Sequence, residues 1–203
     1  MSDTMSETMR EARDRYFHDN GFGPDGGYGE AWVDLAFGPV HLPFPNTPGR
    51  VRAVRFHDLH HVVTGYRTDV LGEAEIGAWE IGAGCKRMWA AWALNLGVMG
   101  LGVLRAPRRV FAAFVRGRRS ETLYGREYEP LLDAPVEAVR ADTRVEAADA
   151  EARRPGLGDR ALFGVTTGVA LGAALAGGAL LIVALPFGLV AMAARRRSRA
   201  TRA

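Results

Sequence analysis

A chain of 203 residues has room for one globular domain of ordinary size plus a short appendage, and such a domain buries a core without staples. Its single cysteine, Cys85, excludes an intramolecular disulfide and any dependence on an oxidising compartment. With 26 basic and 23 acidic residues the net charge is only +3, and no nucleic-acid motif accompanies the arginines, so nucleic acid is not an expected partner.

Residues 1–50 read as an irregular, Gly/Pro-rich N-terminal region. Met1 to Asp19 is polar, mixes acids and bases and contains no apolar run, so neither a secretory signal nor a transit peptide is expected. Asn20 to Arg50 carries many glycines and prolines around short apolar stretches such as Val40-His41-Leu42, which favours irregular structure or a small hairpin over helix. His18 and His41 stand alone and are expected to be structural or exposed.

Residues 51–150 read as a compact all-α domain, with the core helices between Val51 and Arg119. Near its start lie His57-Asp58-Leu59-His60-His61. On a helix His57 and His61 are one turn apart on one face, and Asp58, three residues before His61, falls within the same arc. Gly65 is a good helix stop and Thr68 or Asp69 a good N-cap for the next helix, which would bring Glu73 back in its first turn. Nitrogen and oxygen donors without a thiolate suit Zn²⁺, or Fe²⁺ if two histidines and a carboxylate form one face with open positions. Solvated helices often carry such histidines, so a plain surface cluster is the alternative reading of these residue types. His60 is expected to face elsewhere. Glu80, two helical turns beyond Glu73, is a candidate outer carboxylate or proton shuttle, with a plain surface acid as the equal alternative.

Met88 to Leu104 is an apolar run of 17 residues bounded by Lys86-Arg87 and by Arg105, Arg108 and Arg109. A buried helix lining a greasy pocket is expected there rather than a membrane crossing. Gly82, Gly84, Gly97, Gly100 and Gly102 would thin helix walls or serve helix packing. Arg105, Arg108, Arg109, Arg116, Arg118 and Arg119 read as a solvated basic face, with anionic head groups as the alternative use.

Ala134 to Asp159 reads as a solvated helix ending in a linker over 151–160. Residues 161–194 then run for 34 positions without a charge, well past the roughly 18 to 20 that mark a membrane span. The run is too long for one simple crossing and short for two. Pro186 and the Gly177-Gly178 pair suggest a bend, so a transmembrane segment and a re-entrant hairpin are both open, the hairpin being slightly preferred. It would keep the globular domain cytoplasmic beside the basic tail of 195–203.

His-Asp-x-x-His, eleven residues and then Glu is the hallmark of the fourth Coq protein family of ubiquinone biosynthesis, and His57, Asp58, His61 and Glu73 match it at every position. Further pieces follow at Glu80, Ala113 to Arg118, Tyr128-Glu129 and Pro135 to Arg140, so the chain resembles that family over roughly Val51 to Arg140. The resemblance implies a helical fold in which these four residues hold the metal. It also implies action on a polyprenylated hydroxybenzoate at the membrane, with loss or oxidative replacement of the ring carboxylate. Implied partners are the lipid bilayer, a prenylated aromatic lipid, other quinone-biosynthesis proteins and a second copy in a homodimer. A non-catalytic lipid-binding or assembly protein with a structural metal is the alternative. A zinc peptidase fits worse, because Asp58 stands where the general-base Glu should follow the first His. The membrane segment and the Gly/Pro-rich start fall outside the family pattern.

Overall fold

In the computed structural model, which describes residues 6–37, 40–152 and 154–200, the first element is helix α1 (Met9–Asn20). Thr8 and Glu11 form a reciprocal capping box at its start, and Gly21, at φ +69°, ends it in the left-handed conformation that glycine adopts without strain. Met9, Ala12 and Phe17 are buried, so α1 belongs to the domain, and the expected irregularity of residues 1–50 is corrected there. Backbone bonds from Met9 N to Ala134 O and from Val136 N to Glu7 O, both 2.9 Å, fasten its leading end. The expected small hairpin is present as β1 (Trp32–Phe37) and β2 (Val40–Pro45), antiparallel, with Trp32 opposite Pro45 and Phe37 opposite Val40. The side chains of 34–44, His41 among them, lie outside the described residues.

Helix α2 (Pro48–Thr64) starts at Thr47, whose hydroxyl accepts from Arg50 N, with proline at the first helical position where no donor is missed. It stops at Gly65, φ +74°. Asp69 then caps α3 (Val70–Ala83) by accepting from Gly72 N at 2.8 Å. Helices α4 (Trp89–Arg105) and α5 (Pro107–Gly117) follow, and both pack on α3. The contacts are close because glycines sit at the crossings. A Cβ at Gly117 or Gly82 would collide with the backbone of Trp79 or Phe114 between α3 and α5, and one at Gly102 with Ala74 between α3 and α4. These glycines serve helix packing, and Trp79 at the centre is fully buried, its indole N–H donating to Ser120.

The short helices α6 (Tyr128–Asp133), α7 (Val136–Thr143) and α8 (Val145–Ala152) close the domain. Four of the arginines read as a basic face are engaged in ion pairs. Arg109 pairs with Glu75 at 2.6 Å, Arg116 with Asp149 at 2.7 Å, and Arg118 and Arg119 with Asp159 at 2.6 and 2.7 Å.

Helix α9 (Leu157–Ala200) is continuous through Gly177, Gly178 and Pro186. The preferred hairpin is therefore corrected to one long helix. The expected linker contracts as well, since α9 begins five positions after α8 ends and Asp159 is clamped by its two arginines. The stretch Leu157–Leu180 is long and apolar enough to cross a membrane and is almost wholly uncovered. Its excess length has a physical explanation: the early turns of α9 pack along α4, with Phe163 against Phe111 and Phe114 and Ala170 against Gly100. The side chains of 184–200 and all of 201–203, hence the basic tail, lie outside the described residues.

Candidate metal centre

Helical spacing puts the His57 and His61 rings one turn apart on α2, and the turn from Gly65 to Asp69 returns Glu73 to them in the first turn of α3. The two Nε2 atoms lie 3.1 Å apart. Glu73 faces both, with Oε2 at 3.3 Å from His57 Nε2 and Oε1 at 3.4 Å from His61 Nε2. One donor atom from each residue falls within 4.8 Å of the others.

The opposite ring nitrogens decide what faces inward. His57 Nδ1 donates to Oε1 of Glu80 at 2.9 Å, and His61 Nδ1 donates to the carbonyl of Tyr66 at 2.9 Å. Carboxylate and carbonyl oxygens only accept, so both protons sit on Nδ1 and both Nε2 lone pairs point toward each other and toward Glu73. Three electron-rich groups at this range repel unless a positive charge lies among them. Two bonds of about 2.0–2.1 Å to a tetrahedral Zn²⁺ would separate the nitrogens by about 3.3–3.4 Å, so the observed spacing nearly fits such an ion without rearrangement. Without a cation a proton takes that role. Burial alone would lower the His57 pKa, but the carboxylates of Glu80 and Glu73 outweigh it and hold the imidazole well above its ordinary range. Burial likewise opposes ionisation of Glu73, and the two imidazoles outweigh it, bringing the carboxyl down to about 2.

Glu80 is fully buried and fully satisfied. Its Oε1 accepts from His57 and, at 2.7 Å, from His60 Nδ1; its Oε2 accepts from Tyr124 O–H at 2.6 Å and from the Asn95 amide. His60 is thus not turned away from the cluster's support. Its Nε2 accepts from Leu123 N at 3.0 Å, so the ring is neutral, and burial pushes its pKa down. Burial opposes the charge of Glu80, but His57 and His60 keep its pKa well below the usual carboxylate range. Glu73 and Glu80, seven residues apart on one face of α3, bracket His57 from its two nitrogens. A carboxylate behind a ligating imidazole fixes its tautomer and raises its basicity.

Asp58 does not join the converging atoms. Its Oδ2 accepts from Tyr28 O–H at 2.5 Å, and burial raises its pKa to about 6 against the pull of His57 and that phenol. It lines, with His57 and Glu73, a cavity of about 230 Å³ that Leu94 and Val98 of α4 also line. Arg50 reaches the same cavity and also donates to Asn46 at 2.7 Å. Tyr16 of α1 stacks on His61 with ring centroids 5.4 Å apart and planes 22° apart. Tyr16, Tyr28, Asn95 and Tyr124 escape the sequence reading because each comes from another part of the chain, whereas Arg50 lies on α2 itself, two turns before His57. Only the i, i+3 spacing of His57 and His60 could have hinted at their shared acceptor.

Among family models, curated proteins and solved structures, none matches this chain.

Proposed function

We propose that the protein is a metal-dependent enzyme acting at a membrane on an amphiphile with an oxygenated aromatic head. On the resemblance carried by His57, Asp58, His61 and Glu73, the substrate is a polyprenylated hydroxybenzoate of ubiquinone or related prenylquinone biosynthesis. The reaction breaks the bond between ring and carboxylate, CO₂ leaves, and a proton takes its place on the ring. The oxidative form installs a hydroxyl instead and consumes O₂ and a reductant. The observation that carries this reading is the junction of a three-ligand N₂O group with a cavity also lined by apolar side chains of α2 and α4.

Three protein ligands leave a coordination position free, as at catalytic rather than structural zinc sites. Zn²⁺ is the first candidate and Fe²⁺ the alternative, since neither donor set nor spacing separates them. When bound, the cation supplies Lewis-acid stabilisation of negative charge on a phenolate or carboxylate oxygen. The chain's own residues do the rest. Arg50 is placed to pair with an anionic head group, Glu80 holds the His57 ring, and Phe22 and Leu94 give the cavity apolar lining. Helix α9 supplies the membrane attachment, with the domain on the cytoplasmic face, where a prenyl lipid and other quinone-biosynthesis proteins are within reach.

A specific observation favours a second reading. The backbones of α2 and α3 touch little, so a cation joining His57 and His61 to Glu73 would tie the two helices as a structural metal does. The protein would then bind or assemble prenyl-lipid enzymes without turnover. The full chain in lipid nanodiscs separates the two. The enzyme reading requires CO₂ release from a polyprenylated hydroxybenzoate, lost together with metal content in His57→Ala and Glu73→Ala while the fold persists. Melting of both variants, with no turnover by the parent protein, would establish the structural reading instead.

A further inference from the structure

We propose that the outer face of α4, formed by Leu94, Val98, Leu101 and Leu104, lies against lipid hydrocarbon beside the early turns of α9. The cavity at the candidate metal centre then opens toward the bilayer. The inference rests on the membrane reading of α9 and is independent of which reaction the cation serves.

The intervals of four, three and three residues put these side chains on one stripe of the helix. The adjoining stripe, Ala91, Asn95, Met99 and Gly102, is buried in the domain. Most of the outer stripe is uncovered: Leu101 is 47% and Leu104 71% exposed, and Trp89 at the helix start is 79% exposed, while Val98, half-buried against Gly77 of α3, forms its inner edge. A soluble domain rarely leaves large apolar side chains in such a contiguous row.

What covers the row follows from its neighbour. A Cβ at Gly100 would come within 2.5 Å of the carbonyl of Ala170, so α4 and α9 are in backbone-level contact. One turn or more earlier on α9, Phe163 is wedged against Phe111 and Phe114, with centroid distances of 4.9 and 5.4 Å. On either side of these contacts α9 shows Leu162, Val165 and Val169 outward. The medium around that part of α9 is therefore also the medium beside α4. Lys86 and Arg87 precede α4, and exposed Arg105 and Arg108 follow it, an arrangement that suits anionic head groups bordering a lipid-facing helix.

The stripe also reaches the chemistry. Leu94 and Val98 belong both to it and to the wall of the cavity that holds His57 and Glu73. An amphiphile whose tail stays in hydrocarbon can thus present its head to the cation without the tail crossing water. The ligand class this geometry selects is a lipid-borne polar head on an apolar chain.

The test uses the full chain in nanodiscs of phosphatidylcholine and phosphatidylglycerol, with a nitroxide on Leu101→Cys, Leu104→Cys or, as an aqueous reference, Glu137→Cys. Native Cys85 is buried and stays unlabelled. Relaxation by O₂, which concentrates in hydrocarbon, should exceed relaxation by a water-soluble nickel chelate several-fold at 101 and 104, and the order should reverse at 137. Nickel access at 101 and 104 equal to that at 137 overturns the proposal. Protection from both reagents overturns it too, by showing that protein, such as a second copy, covers the face. Metal content measured on the same samples keeps this result apart from the metal reading: water-exposed positions with the cation retained defeat only the lipid face. Hydrocarbon-buried positions in a protein that never takes up a cation defeat only the metal centre.

Discussion

His57 Nδ1 lies 2.9 Å from Oε1 of Glu80, a carboxylate with no exposed surface. That bond sets the tautomer of His57 and leaves its Nε2 lone pair facing His61 and Glu73. Glu80→Gln keeps an acceptor for the two histidines but removes the charge, so it should weaken zinc binding by about 10- to 100-fold with the domain still folded. Glu80→Ala leaves His57, His60, Asn95 and Tyr124 facing a hole and should cost about 3–5 kcal/mol of stability. Chelator-competition titration and thermal unfolding of the two variants check both outcomes.

Glu73 and Asp58 should behave differently although they carry the same charge. Glu73 contributes an atom to the converging group and Asp58 does not, being turned to the Tyr28 phenol. Glu73→Gln should abolish stoichiometric binding, while Asp58→Asn should keep one cation per chain with affinity within about tenfold, the range of a supporting residue. Elemental analysis of the purified variants decides the matter. Loss of the cation in Asp58→Asn would return Asp58 to the ligand set.

Cation uptake should release a proton at neutral pH. Burial would by itself lower the His57 pKa, yet Glu80 and Glu73 hold it well above the ordinary value of 6.5, so in the cation-free protein the ring is protonated at pH 7. The proton must leave before Nε2 can ligate. Apparent affinity therefore falls as the pH drops, by about tenfold per unit while a single proton is displaced. In the cation-free domain the sign for His57 runs the other way: a pKa raised on folding stabilises fully below 6.5 and is lost as the pH climbs through the folded value. Glu73, lowered to about 2, stabilises above 4.5 and loses that contribution as the pH falls toward 2. Calorimetric zinc titrations in buffers of different ionisation enthalpy report the proton count directly.

The α3–α5 crossing should tolerate no added methyl. Gly117→Ala places a carbon against the backbone of Trp79, which cannot move aside as a flexible side chain would. Overpacking of this kind costs about 1–3 kcal/mol. Gly97→Ala, on a stretch of α4 with open space, should be neutral or slightly stabilising through helix propensity. Thermal unfolding of the two variants gives the comparison.

What could be read from the chain was local. Gly65 and Asp69 mark a helix stop and start, and the intervals from His57 to His61 and from Glu73 to Glu80 are one and two helical turns. The helical class and the converging residues follow from those spacings. The rest is non-local: Tyr28 meets Asp58 across 30 residues and Tyr124 meets Glu80 across 44, distances at which an isolated tyrosine carries no pattern. α1 was masked by the glycines and prolines that follow it, although Thr8-x-x-Glu11 is a legible capping box. The hairpin expected in the apolar run rests on its surplus length, on Pro186 and Gly177-Gly178 as a bend, and on keeping the domain and the basic tail on one side, and α9 runs unbroken through those residues. Length does not reveal that early turns of a helix are fastened to a neighbouring one.

Asp159 sits between Arg118 and Arg119 in the first turn of α9, and its carboxylate also accepts from Gly156 N at 2.8 Å. With Phe163 and Ala170 seated on α5 and α4, the long helix leaves the domain through a welded joint rather than a slack tether. Any roll or tilt it adopts is passed directly to α4, which lines the cavity beside His57, so the orientation of that cavity is not free to wander relative to the long helix.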